Sequence, residues 1–135
     1  MRSKIAAVLG TVALTLTLGA SGAQAYTPDD GSTFNDPWGG WSEKERLLDK
    51  ITKTIESAHK HSTIRIAAYS NDRKDATDAL IAAYRRGVHV QVLLNDNWTS
   101  FQTKRLRRVL GTDVSKRSFL RICVASCRGK RGNLH

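Results

Sequence analysis

Val88, Val90, Val92 and Leu94 occupy every second position of the chain, separated by His89, Gln91 and Leu93. A period of two is the signature of a β-strand. Immediately upstream, residues 74–86 place Ala76, Leu80, Ala83 and Tyr84 on one side of a helix. Arg85-Arg86 suit its carboxyl end, and Gly87 suits the left-handed position beyond it. Earlier still, Ile64, Ile66 and Ala68 alternate through residues 62–69, a second strand. Strand, helix and strand in that order imply parallel pairing through a right-handed crossover. Leu93, apolar between two apolar neighbours, adds an expectation of burial on both faces of the sheet.

The same grammar extends in both directions. Ser42 followed by Glu45 reads as a capping box. Leu47, Leu48, Ile51, Ile55 and Ala58 then recur at helical spacing, so a helix is expected over residues 43–58. Phe101, Leu106, Val109 and Leu110 predict a helix over residues 100–110 that Gly111 stops. Residues 118–125 alternate Phe119, Arg121 and Cys123 against Leu120, Ile122 and Val124, a third strand. Asn133-Leu134-His135 look like the start of a fourth. The expected fold class is therefore α/β, with three to four mostly parallel strands and flanking helices. In such sheets functional groups gather at the carboxyl ends of the strands. Here that edge would hold Ser70-Asn71-Asp72, Asn95-Asp96-Asn97-Trp98 and the loop after Ala125; Trp98 either walls a pocket there or serves packing.

Residues 1–25 belong to a different class of segment. Met1-Arg2-Ser3-Lys4 is positively charged, Ile5 to Ala20 runs sixteen residues without a charge, and Ala23-Gln24-Ala25 offers a small-x-small site. These are the three parts of a cleavable secretory signal peptide, with cleavage expected after Ala25 and a secreted product. The apolar run is short and diluted by Gly10, Thr11, Thr15, Thr17 and Gly19, which argues against a membrane span. Residues 26–41 follow as a lead-in loop rich in turn formers, including Asp29-Asp30-Gly31, Asn35-Asp36-Pro37 and Gly39-Gly40. Its aromatics Phe34, Trp38 and Trp41 suggest that it packs against something. The domain proper is expected over residues 42–135.

The formal charge of +10 is unevenly spread. Residues 26–100 hold ten Lys and Arg against eleven Asp and Glu, while residues 101–135 hold ten against the single Asp113. Lys104, Arg105, Arg107 and Arg108 lie on the third helix, and Arg128, Lys130 and Arg131 in the last turn. Such a cluster attracts phosphate-bearing partners, nucleic acid or anionic lipid head groups, or else forms a solvated basic face that aids solubility. Cys123 and Cys127, in an exported chain, are expected to form a disulfide bracing the loop after the third strand. No metal or cofactor is called for, because two cysteines lack the remaining ligands. His59, His61 and His89 read as surface residues.

The order of elements carries a resemblance. Phe34-Asn35-Asp36-Pro37 precedes a helix, then come Thr63-Ile64-Arg65-Ile66-Ala67-Ala68-Tyr69-Ser70, an Ala-rich helix ending Arg85-Arg86-Gly87, and Val88-His89-Val90-Gln91-Val92-Leu93-Leu94-Asn95-Asp96. With Gly132-Asn133-Leu134-His135 at the close, this resembles the amino-terminal part of a secreted phospholipase D-like protein, over most of residues 33–135. The resemblance implies a partial phospholipase D-like sandwich and a phosphodiester substrate, phospholipid or nucleic acid. It also implies chemistry on an H-x-K-x4-D motif, in which His135 stands at the position of the nucleophilic His. A neutral imidazole attacks phosphorus to give a phosphohistidine, a second His protonates the leaving oxygen, lysines neutralise the non-bridging oxygens, and the Asp orients the ring. The motif's Lys and Asp do not occur in these 135 residues. The expectation is a truncated domain, inactive by itself; the alternative is a small secreted basic module that binds anionic surfaces or nucleic acid without catalysis.

Overall fold

The computed structural model describes residues 26–96 and 98–124. Their order is α1 (Trp41–Lys44), α2 (Arg46–Ser57), β1 (Thr63–Ala68), α3 (Lys74–Arg85), β2 (His89–Asn95), α4 (Phe101–Leu110) and β3 (Phe119–Cys123). The strands form one parallel sheet in the order β1-β2-β3. This is the expected α/β arrangement, with the bounds of β1, α3, β2 and α4 within a residue of those read from periodicity. The expected leader, the expected fourth strand at residues 133–135 and the basic turn with Arg128, Lys130 and Arg131 lie outside the described residues.

Register explains which side chains meet. Ile64 stands beside Val90, Ile66 beside Val92 and Ala68 beside Leu94, while Val92 and Leu94 stand beside Leu120 and Ile122. These residues share one face of the sheet, and the helices cover it. Ile55 of α2, Ala79, Leu80 and Ala83 of α3, and Leu106 and Leu110 of α4 complete the core. Removing a Leu or Val side chain of this kind from water contributes about 1.5–3 kcal/mol. Arg86 hydrogen-bonds the Ile55 and Glu56 carbonyls at the end of α2, at 3.2 and 3.0 Å, which ties α2 to α3. Gly87 holds φ at +90°, as its position after the helix requires, and its carbonyl accepts from His61 N at 2.9 Å.

The opposite face departs from expectation. Leu93 is only half-buried, and Ala67 and Arg121 on the same side are exposed. Among the described residues no helix covers this face, because both crossovers pass over the other one, as a common handedness demands.

The amino-terminal region corrects three further expectations. The helix over residues 43–58 is broken at Glu45, which sits at φ −106° and ψ 8°. The Ser42–Glu45 capping box does not form: Ser42 Oγ donates to the Glu43 carboxylate, and Glu45 pairs with Arg73 at 2.5 Å. The start of α2 is capped instead from the lead-in loop, where Asn35 Oδ1 accepts from Leu47 N at 2.9 Å. The loop is anchored, but by polar bonds: Lys50 Nζ also donates to the Asp29 carbonyl and to Thr33 Oγ1. Phe34, Trp38 and Trp41, expected to pack it down, all lie exposed.

Asn35→Ala is therefore expected to lower stability by about 1 kcal/mol in urea denaturation, as loss of a helix cap does. Ser42→Ala is expected to change it by less than about 0.5 kcal/mol. The reverse ranking would restore the capping box.

Candidate functional site

In-register parallel pairing brings the carboxyl ends of β1, β2 and β3 to one edge, and the loops that leave this edge form a polar network. Tyr69 O accepts from Asn95 N at 3.2 Å, joining the first two strand ends. Asn71, two residues further, is held from both sides. Its amide nitrogen donates to Thr77 Oγ1 on α3 at 3.0 Å. Its carbonyl accepts from Ser100 Oγ and, at 2.9 Å, from Thr103 Oγ1. Ser100 is also the cap of α4, accepting from Thr103 N at 3.0 Å. The β1–α3 loop and the first turn of α4 are thus latched together.

Asn95 ends β2 and is 2% exposed. Its Oδ1 accepts from Asp96 N at 2.9 Å, while its Nδ2 is buried with no hydrogen-bond partner among the described residues. A buried, unpaired donor costs about 1–3 kcal/mol, so this amide is a donor with unspent capacity. The amino ends of α3 and α4 open at the same edge, and helix amino ends favour anions. Arg73, the residue before α3, offers no side-chain cap and is paired with Glu45. What this edge has left to donate toward oxygen is amide N–H, since the hydroxyls of Thr77, Ser100 and Thr103 already donate to backbone carbonyls.

The histidines stand elsewhere. His61 and His89 lie at the amino ends of β1 and β2, with ring centroids 6.4 Å apart, and Arg117 Nη1 approaches His89 Nε2 at 3.5 Å. His59 is exposed. None of the three is at the edge where Asn71 and Asn95 meet. His135, the expected nucleophile position, lies outside the described residues, as do Cys127, Arg128, Lys130 and Arg131. Cys123 ends β3 and is buried. Trp98, offered as a pocket wall or a packing residue, is 52% exposed.

The basic residues of α4 divide into two kinds. Arg105 is half-buried and engaged, with Nη1 at 2.5 Å from Asp78 Oδ1. Lys74 Nζ meets the other Asp78 oxygen at 2.6 Å. The hydrogen bond from Lys74, then that from Arg105, holds the Asp78 carboxyl below its ordinary value of 3.8. The Arg105 bond staples α4 to α3, while the Lys74 bond stays within α3. Lys104, Arg107 and Arg108 are exposed and form no ion pair with a described residue. The Asp78–Arg105 staple spans 27 residues and has no periodic signal. The Ser100–Thr103 cap, in contrast, is legible as a serine opening an apolar helical pattern.

A depressed carboxyl stabilises the fold above its unfolded value and loses that contribution as pH falls through the folded one. Asp78→Asn is expected to cost about 0.5 kcal/mol at pH 7, the magnitude of a partly exposed ion pair. The deficit should shrink below about pH 4 as the wild-type carboxyl protonates. Chemical denaturation of both proteins across that range checks it, and a pH-independent deficit would refute the ionic account.

Among families of known domains, residues 51–126 match the model described as cardiolipin synthase, PLD-like domain. The match spans more than half of the chain and contains all three described strands. No curated protein and no solved structure matches the chain.

Proposed function

The chain belongs to the phospholipase D-like family, and from that membership we propose that it is an exported phosphodiester-processing unit whose substrate phosphate meets the carboxyl edge of the sheet. The observation that carries this reading is the family match over residues 51–126, which coincides with the whole β1-α3-β2-α4-β3 unit. The amino ends of α3 and α4, which open at that edge, support it, since their backbone N–H groups favour an anion.

Residues 1–25 act as the leader in this reading, residues 26–41 as the lead-in, and the domain begins at residue 42. Export places Cys123 and Cys127 in an oxidising compartment, where a disulfide between them braces the loop after β3. His135 takes the position of the nucleophile that forms the phosphohistidine. A bare imidazole is a poor catalyst without a carboxylate to orient it and lysines to neutralise the developing charge. In this reading the chain by itself binds a diester and does not turn it over.

Two measurements test this. Titrating bis(para-nitrophenyl) phosphate into the isotope-labelled chain should shift the backbone amides of Asn71, Asn95 and Ser100. Shifts confined to other surfaces, or none at all, would overturn the assignment of the edge. Release of nitrophenol should be undetectable; turnover that disappears in His135→Ala would sink the reading that this chain is inactive alone.

A further inference from the structure

Beyond the strand edge, α4, the loop after it and the residue after β3 display apolar side chains that the fold leaves in water. Phe101 is 69% exposed, Val114 48% and Val124 74%. Two concavities connect them. One, of about 630 Å³, is bounded by Phe101, Lys104 and Arg108; the other, of about 420 Å³, by Val114, Arg121 and Val124. Arg107 and Thr112 line both, so the surface is continuous.

Every charged residue lining it is a cation, and none of the four is in an ion pair with a described residue. Asp113, the nearest acid in sequence, turns to Ser115, accepting from its N and Oγ at 2.9 and 2.7 Å. We propose that this surface docks the protein on an anionic phospholipid bilayer. Phe101, Lys104 and Arg108 are spaced i, i+3 and i+7, which aligns them in one outward stripe of α4. Their arrangement suits a headgroup boundary. Phe101, Val114 and Val124 enter the apolar margin while the long cationic stems reach lipid phosphates.

Single-stranded nucleic acid requires something else, namely aromatic rings repeated along a basic track for successive bases to stack on. Here one ring stands at one end, and the remaining apolar groups, Val114, Leu120, Ile122 and Val124, are aliphatic and offer no stacking face. The docking goes beyond the phosphodiesterase reading and does not depend on it, since it uses neither His135 nor the strand-edge amides.

Co-sedimentation of the full chain with vesicles distinguishes the outcomes. Binding is expected to phosphatidylcholine vesicles containing about 30% phosphatidylglycerol, not to phosphatidylcholine alone, and to weaken as salt rises from ~0.05 to ~0.5 M. Replacing Lys104, Arg107 and Arg108 together by Gln should weaken it about 100-fold, at roughly fivefold per charge. Phe101→Ser with Val114→Ser should weaken vesicle binding while leaving binding of an oligothymidylate unchanged. Both residues are exposed, so the far-UV spectrum should be retained. Absence of binding to the anionic vesicles would overturn the proposal, as would binding indifferent to the two apolar substitutions. Oligothymidylate binding tighter than vesicle binding would assign the surface to nucleic acid instead. His135→Ala, which the phosphodiesterase reading concerns, should leave docking untouched.

Discussion

Strand β2 is hydrogen-bonded on both sides, and its four alternating residues Val88, Val90, Val92 and Leu94 are each at most 1% exposed. Much of the remaining geometry descends from that strand. Parallel pairing on both flanks means that each connection returns across the sheet before the next strand begins. Equal handedness of the two connections then lays α3 and α4 on one face, with α2 beside them. The core is accordingly one-sided. The same constraint brings Ala68, Leu94 and Ile122 into one row, so the loops leaving the three strands meet at a common edge. The Asn71–Ser100–Thr103 latch is a consequence of pairing that began with a run of alternating valines.

Asp78 gives that architecture its second constraint by sorting the cations. It consumes Lys74 and Arg105, two of the basic groups nearest the seam between α3 and α4. Its depressed titration marks both bonds as favouring the carboxylate. The remaining basic residues of α4 face outward because the helix spends Leu106 and Leu110 on the core. Charge that a count of residues treats as one cluster is thus two populations, one that assembles the fold and one that is displayed by it. A displayed cation on a helix fixed by packing and by a salt bridge loses less freedom on meeting a phosphate than one on a loose tail.

What was legible in the residues, and what was not, follows from the range of each interaction. Alternation in Val88–Leu94 and the Arg85-Arg86-Gly87 ending are local signals, and the strands, helices and parallel order came from them nearly to the residue. The charge asymmetry of residues 101–135 was equally visible. Asn35 capping α2 across twelve residues, and Asp78 reaching Arg105, were invisible because contacts between distant segments leave no period. The Ser42–Glu45 pattern misled for a related reason: a local box competes with tertiary partners, and Arg73 won Glu45. Leu93 suggested a second covered face because hydrophobicity reports what a residue tolerates, whereas the crossover geometry decides which side the helices occupy. Phe34, Trp38 and Trp41 failed likewise, since Asn35 and Lys50 already anchor the loop through polar bonds.

Ser100 and Phe101 are adjacent in sequence yet belong to different surfaces, and this links the strand edge to the docking face. Ser100 is buried and latches Asn71 into the edge, whereas Phe101 points outward at the head of the basic stripe. The first turn of α4 therefore stands at the boundary between the two. A bilayer engaged through Phe101 and Lys104 would lie within the first turn of the helix, about 5 Å along its axis. Anionic head groups would then be concentrated beside the amino end of α4, where backbone N–H groups favour anions. In the two proposals surface attraction and phosphate contact both turn on the amino end of α4, and the hydrogen bond of Ser100 to Asn71 holds that end against the loop after β1.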